Sequence, residues 1–129
     1  MKAQIAISSE KKILCTNVCK GKNHDFDLFK VSKLLINITL KLYGDSGYQG
    51  VLKFHQCCEL PKKSSKHNPL SDEDKLSNRE KTKIRIIVEH VNAKLKVFKI
   101  FSTQYRNRRK DFLKRFNIVC ALVNADMGF

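Results

Sequence analysis

Acidic residues are scarce in this chain of 129 residues, which has 26 lysines and arginines but only 12 aspartates and glutamates. The formal net charge is +14 at pH 7, and the isoelectric point is about 9.8. A chain this basic usually contacts a polyanion, most simply nucleic acid. The alternatives are a basic protein whose charge serves only solubility, or the basic half of a neutral whole. Since 42% of the residues are hydrophobic, the chain can form a core, which argues against wholesale disorder.

Long apolar runs are also missing. The longest, such as residues 118–123, are far shorter than the roughly 20 residues that a membrane-spanning helix needs. The first residues, Met1 to Gln4, lack the apolar core of a secretory signal peptide. We therefore expect a cytoplasmic protein with no membrane partner.

Zinc-knuckle spacing is absent from the cysteines. The chain has five cysteines, an odd number, and without a secretory signal this favours free thiols. Cys15 and Cys19 are four positions apart and Cys57 is adjacent to Cys58, so neither pair forms the C-x-x-C unit of a zinc site. We expect small buried thiols rather than metal ligands.

Hydrophobic periodicity predicts a mixed fold of the α/β class. Apolar and polar residues alternate near the start of the chain, as in strands, and apolar residues recur every three or four positions in its last third. The predicted elements are a hairpin at residues 3–18, a helix at 26–37, a strand at 38–43, a basic loop at 61–70, and helices at 71–100 and 107–123. This order indicates a small mixed sheet covered by helices.

The segment 71–100 has the most regular helical pattern. Ser71 is predicted to begin it, Asp74 completes an approximate capping box, and Asn78 is predicted to restart a longer helix. Steps of three and four residues define a core stripe made of Ile84, Val88, Val91, Leu95 and Phe98. A second stripe lies about 100° around the helix, at the border of the buried face. It consists of Arg85, Glu89, Asn92 and Lys96.

Asp45 and Glu89 are the acidic residues most suggestive of chemistry. Asp45 ends the apolar run 40–45 before a glycine-containing turn, and Glu89 lies on the basic helix. An acid at the end of a strand and another on a basic helix is an arrangement that holds Mg²⁺ against a phosphate backbone. Two alternatives remain open: Asp45 is only a turn-forming residue before Ser-Gly, and Glu89 only pairs with Arg85 on a solvated face.

Two basic clusters are candidate DNA contacts. One is at the start of the last helix and contains Arg106, Arg108, Arg109 and Lys110. Positive charge there opposes the helix dipole, which is easier to understand if phosphates neutralise it. The other is in the loop 61–70 and contains Lys62, Lys63, Lys66 and His67. The alternative for both clusters is a well-solvated surface.

Several spaced motifs resemble a DDE-type transposase of the fifth bacterial insertion-sequence family. Arg85, Glu89 and Lys96 have the spacing of the family's R(3)E(6)K signature, although the tyrosine that precedes it is replaced by Thr82. The matching stretches are residues 11–15, 21–26, 44–50, 70–75, 78–79, 85–91, 96–100 and 105–109. The resemblance covers nearly the whole chain.

The resemblance implies a ribonuclease-H-like fold and metal-assisted phosphoryl transfer on DNA. Asp45 matches the second metal-binding acid and Glu89 the third, with Mg²⁺ or Mn²⁺ as the cofactor. Arg85 and Lys96 would hold DNA phosphates or orient Glu89. The strand that carries the first acid is expected to be absent, so the chain is interpreted as a bacterial, DNA-associated C-terminal fragment that binds metal weakly and is inactive alone.

Two other functions fit the same sequence. The first is a non-enzymatic DNA-binding remnant that keeps the basic surface without the chemistry. The second is an interaction protein that completes its sheet with another chain, either an upstream transposase fragment or a second copy of itself, because an unpaired strand edge favours such pairing.

Overall fold

The structure is a computed structural model that describes residues 2–19, 21–32, 36–99 and 109–129, with only the backbone of Arg109. The chain divides into two compact units, residues 1–23 with 87–129 and residues 24–86. In chain order the elements are β1 (Lys2–Ile7), β2 (Ile13–Cys19), α1 (Asp25–Ser32), β3 (Leu42–Tyr43), a 3₁₀ helix (Ser46–Lys53), β4 (Cys58–Glu59), α2 (Asp72–Lys96), a short 3₁₀ helix (Arg109–Asp111) and α3 (Phe112–Asp126). None of the helices in these ranges has the length and apolarity to span a membrane.

The first unit begins with an antiparallel hairpin. Strands β1 and β2 pair from Lys2 opposite Cys19 to Ile7 opposite Ile13, with an irregularity after Ala6. The turn is closed by the Ser8 N–H, which donates to the Lys12 carbonyl at 2.9 Å. These strands contain the hairpin predicted at residues 3–18.

The core of this unit forms where α3 and the last turns of α2 meet the hairpin. Residues four apart on α3 lie on the same side of the helix, which is why an apolar residue at each such step becomes buried. The buried residues are Ile13, Val91, Leu95, Phe112, Phe116, Cys120 and Val123. The rings of Phe112 and Phe116 stack with their centroids 6.2 Å apart. Burial raises the pKa of the Cys120 thiol to about 11.

Polar side chains of α3 hold strand β2 in register. Asn124 accepts a hydrogen bond from the Ile13 N–H at 2.9 Å and donates one to the Ile13 carbonyl at 3.0 Å. Two helical turns earlier, Asn117 accepts a hydrogen bond from the Thr16 hydroxyl. Asn124 therefore satisfies both backbone groups of a buried strand residue that has no strand partner on that side among the described residues.

The second unit contains a short parallel pair of strands. Leu42 is opposite Cys58 and Tyr43 is opposite Glu59. A small core of Val51, Cys58 and Leu60 packs beside them, with Phe26, Phe29, Leu42 and Tyr48 around it. Gly50 lets the chain pass close to Phe26, because a Cβ atom there would lie 2.3 Å from the Phe26 ring and force it to shift. His55 is buried, and its Nε2 lies 2.7 Å from the Leu40 carbonyl oxygen.

The strand predicted at residues 38–43 is wrong over most of its length. Only Leu42–Tyr43 is a strand. The Asn37 side chain accepts a hydrogen bond from the Thr39 N–H at 3.1 Å, and the Asn37 carbonyl accepts one from Leu40 at 3.0 Å. This local turn competes with strand pairing, and Ile38 and Leu40 are exposed as a result.

Two helix boundaries also differ from the prediction. Helix α1 ends at Ser32, and residues 36–37, at the end of the predicted helix 26–37, are not helical; residues 33–35 lie outside the described residues. Helix α3 begins at Phe112, after the short 3₁₀ helix, whereas the prediction started at residue 107. Residues 107 and 108 are also outside the described part.

Helix α2 is continuous from Asp72 to Lys96, without the restart predicted at Asn78. The Asn78 side chain instead bonds the Lys62 backbone outside the helix, so this asparagine does not compete with the helical hydrogen bonds. Ser71 caps the helix, accepting a hydrogen bond from the Asp74 N–H at 3.1 Å. Of the predicted core stripe, Val91 and Leu95 are buried, whereas Ile84 is 39% exposed.

We predict that Asn124→Ala destabilises the chain by about 1–3 kcal/mol, because it leaves a backbone donor and acceptor of Ile13 unsatisfied. Urea unfolding followed by circular dichroism measures this change. The control is Asn23→Ala, since Asn23 is exposed and only its backbone carbonyl has a described partner, Lys2. Equal stability of the two variants would contradict the role of Asn124.

Candidate functional site

Asp45 lies two residues after β3 and caps the 3₁₀ helix Ser46–Lys53. Its Oδ1 accepts hydrogen bonds from the Ser46 hydroxyl at 3.0 Å and from the Gly47 N–H at 3.2 Å. The sequence Asp-Ser-Gly favours this geometry because a short carboxylate can accept from the N–H two residues later. Asp45 therefore forms the predicted turn through Oδ1, and this leaves its other carboxylate oxygen, Oδ2, outside the capping hydrogen bonds.

The outward oxygen of Asp45 is paired with an arginine of helix α2. Arg85 Nη2 lies 3.3 Å from Asp45 Oδ2. The Asp45 side chain is 55% exposed and the Arg85 side chain 29%. Solvent therefore screens this ion pair, and its contribution to stability is on the order of 0.2–1 kcal/mol.

Opposing effects act on the ionisation of Asp45. Partial burial raises the pKa of the carboxyl, whereas the hydrogen bonds from Ser46 and Gly47 and the charge of Arg85 lower it. The lowering effects dominate, so the pKa of Asp45 lies below its usual value. Asp45 is thus a carboxylate at neutral pH.

Glu89 lies on α2 within the other compact unit. Its side chain is exposed, and it forms no ion pair with a residue in the described ranges. The predicted partner Arg85 is engaged with Asp45 instead. An exposed carboxylate on a helix is accessible to a ligand.

The described residues do not by themselves form a metal centre. Among them, no group of three histidine, cysteine, aspartate or glutamate side chains is placed to hold a metal ion. Asp45, the better candidate ligand, already accepts hydrogen bonds on Oδ1 and faces a guanidinium on Oδ2. The five cysteines are free thiols, and burial raises the pKa of Cys58 as well as that of Cys120.

The predicted DNA-contacting lysines differ in their surroundings. Lys96 is exposed at the end of α2, and Lys63 is exposed in the basic loop; neither has an ion-pair partner in the described part of the chain. Lys62 has one: its Nζ lies 2.5 Å from Asp74 Oδ1. This hydrogen bond from Lys62 is the main reason why the pKa of Asp74 lies below its usual value.

The arginine cluster before α3 is only partly described. Arg106 and Arg108 lie outside the described residues, and Arg109 begins the short 3₁₀ helix with its side chain undescribed. Their roles in DNA binding stay predictions from the sequence.

Contacts between the segment 59–62 and α2 were not predicted from the sequence. Asn78 forms two 2.9 Å hydrogen bonds with the backbone N–H and carbonyl of Lys62. Lys81 donates to the Leu60 carbonyl at 2.9 Å and pairs with Glu59 at 3.2 Å. The capping motif at Ser71 signals the helix start, but no local motif indicates these contacts between residues 16 or more positions apart.

A protein-family model described as a DDE superfamily endonuclease matches residues 1–124. The chain belongs to this family. It is 42% identical over 129 residues to a protein from Microchaete diplosiphon named "Probable transposase for insertion sequence element IS702". The alignment covers 99% of this chain and 47% of that protein, so the chain spans about half the length of its curated relative. No solved structure matches the chain significantly.

Membership of the DDE endonuclease family confirms the resemblance inferred from the spaced motifs. Endonucleases of this superfamily generally use divalent metal ions. The matched range contains Asp45, Arg85, Glu89 and Lys96.

We predict that Asp45→Asn lowers stability at pH 7 by up to about 1 kcal/mol, because an asparagine still caps the 3₁₀ helix but loses the charge opposite Arg85. The folded pKa of Asp45 is lowered, so its stabilisation is present above the unfolded pKa and is lost as the pH falls through the folded pKa. The difference between wild type and variant should therefore shrink from pH 5 towards pH 2.

Urea unfolding at several pH values tests this. The control is Asp72→Asn, because Asp72 pairs with Lys75 while its side chain is 94% exposed. A stability difference for Asp45→Asn that is constant from pH 7 to pH 2 would show that the charge of Asp45 contributes nothing.

Proposed function

We propose that this chain acts on DNA as part of a transposase, in a reaction of the phosphoryl-transfer class. The observation that carries the proposal is the match of residues 1–124 to the DDE superfamily endonucleases, with a transposase as the relative at 42% identity. The net charge of +14 supports a polyanionic partner. The proposed setting is the bacterial cytoplasm.

The proposed architecture is a ribonuclease-H-like fold. An antiparallel hairpin, a helix, a parallel strand pair and long helices follow one another in this chain, and family membership supports their assignment to that fold. The two sheets of the described residues each have two strands. Strand edges without a partner support pairing with further strands, from an upstream part of a transposase or from a second copy of the chain.

Asp45 and Glu89 are the proposed acidic site residues, with Mg²⁺ or Mn²⁺ as the metal. Both are exposed enough to meet a ligand, and Asp45 is held by its helix-capping hydrogen bonds. Carboxylate oxygens are the ligands that these hard cations prefer. Two carboxylates are too few for a tight site, so metal binding by this chain alone is proposed to be weak.

The proposed DNA contacts are cationic side chains. Lys96 and Lys63 are exposed and without described ion pairs, and Arg85 is only partly neutralised by Asp45. Arg106, Arg108 and Arg109 belong to the proposal on their sequence pattern. Lys62 is the weaker candidate because it is paired with Asp74.

A second candidate function is a non-enzymatic DNA-binding remnant. It is favoured by one observation: the described residues contain no group of three side chains that could hold a metal ion. The same basic surface would serve both functions, so an assay of DNA cleavage distinguishes them whereas an assay of DNA binding does not.

We predict that the chain binds duplex DNA with little sequence preference and with an affinity that falls steeply with salt. Lys96→Ala should weaken binding and reduce the slope of log K against log salt by about 1. Lys94→Ala is the matched control, because Lys94 lies on the same helix but is paired with Asp126 at 2.6 Å. Fluorescence anisotropy with a labelled duplex gives both slopes, and an affinity independent of salt would refute the proposed DNA contact.

We predict that the chain alone does not nick supercoiled plasmid DNA in the presence of Mg²⁺ or Mn²⁺, because the described acids are too few to hold the metal. Gel electrophoresis of the plasmid measures nicking. The predicted inactivity would be wrong if the chain nicked the plasmid and both Asp45→Ala and Glu89→Ala removed this nicking.

A further inference from the structure

Both oxygens of the Asp45 carboxylate already have partners. Oδ1 accepts from the Ser46 hydroxyl and the Gly47 N–H, at 3.0 and 3.2 Å, and Oδ2 faces Arg85 Nη2 at 3.3 Å. A carboxylate that binds a cation must turn a free lone pair towards it. The oxygen of Asp45 that makes no capping hydrogen bond, Oδ2, is directed at an arginine.

The arginine also opposes a cation by its charge. A divalent ion bound to Oδ2 would lie about 2.0–2.6 Å from that oxygen, and hence within a few ångströms of the guanidinium. Two positive groups at that separation repel each other.

We propose that Arg85 is a positioning residue that keeps Asp45 closed to divalent cations until the guanidinium leaves Oδ2. The proposal rests on the proposed function, in which Asp45 is a metal ligand. It explains why a residue expected to bind metal is found in an ion pair with an arginine.

The geometry allows the pair to open without loss of the site. The contact is long for a charge-assisted hydrogen bond, and both side chains reach solvent, so little stability depends on it. When Arg85 leaves, the bonds from Ser46 and Gly47 to Oδ1 still hold the carboxylate in place. A phosphate group is a suitable new partner, because a guanidinium can bind two of its oxygens at once.

Titration of the full ¹⁵N-labelled chain with Mn²⁺ tests the proposal. The Gly47 N–H bonds directly to Asp45, so a Mn²⁺ ion on Asp45 broadens the Gly47 amide signal. The variant is Arg85→Gln. The matched control is Lys83→Gln, which removes one positive charge from an exposed residue of the same helix that has no described ion pair. Circular dichroism verifies that each variant is folded.

We expect Arg85→Gln to lower the Mn²⁺ concentration that half-broadens the Gly47 signal by about two- to fivefold relative to Lys83→Gln, in line with the small energy of an exposed pair. Adding Asp45→Asn to Arg85→Gln should abolish the effect. Equal shifts in Arg85→Gln and Lys83→Gln would overturn the role of Arg85. If Asp45→Asn nevertheless removes the broadening of the Gly47 signal, Asp45 remains a metal ligand. Broadening that does not depend on Asp45 in any variant would overturn both the inference and the proposed role of Asp45.

Discussion

The contacts between helix α2 and the segment 59–62 are the constraint on which the candidate site depends. Asn78 holds the Lys62 backbone and Lys81 holds the Leu60 carbonyl. One turn beyond Lys81, Arg85 reaches Asp45, which lies two residues after β3. Since residues three or four apart lie on one side of a helix, a single face of α2 fixes both the chain after β4 and the charge beside Asp45.

That arrangement engages both carboxylate oxygens of Asp45. As a cap, it closes the 3₁₀ helix through Oδ1 and leaves Oδ2 outward. Its other oxygen, Oδ2, faces the positive charge of the Arg85 guanidinium. The proposed function asks a basic chain both to approach DNA and to hold a cation, and these two demands conflict because the charges that attract phosphate also repel metal. Pairing the acid with an arginine that phosphate can attract reduces the conflict.

Local pattern explains which parts of the fold the sequence could predict. The hairpin could be predicted because apolar and polar residues alternate along its strands. Helix α3 could be predicted because Phe112, Phe116 and Cys120 are spaced four residues apart, and the capping role of Ser71 follows from its sequence motif. The prediction of a strand at 38–43 failed because the side chain of Asn37 stabilises a turn, and the pattern of apolar residues does not reveal such a turn. The helix restart at Asn78 failed because that side chain bonds a backbone 16 positions away. Arg85 was recognised, but its partner lies 40 positions earlier.

The most direct test of the account is NMR mapping of the chain during titration with a DNA duplex. The account predicts that Lys96, Lys63 and the Arg85 side chain change in chemical shift, that Gly47 changes as Arg85 leaves Asp45, and that these changes reverse at high salt. Duplex binding by the folded chain that leaves all four residues unperturbed would contradict it.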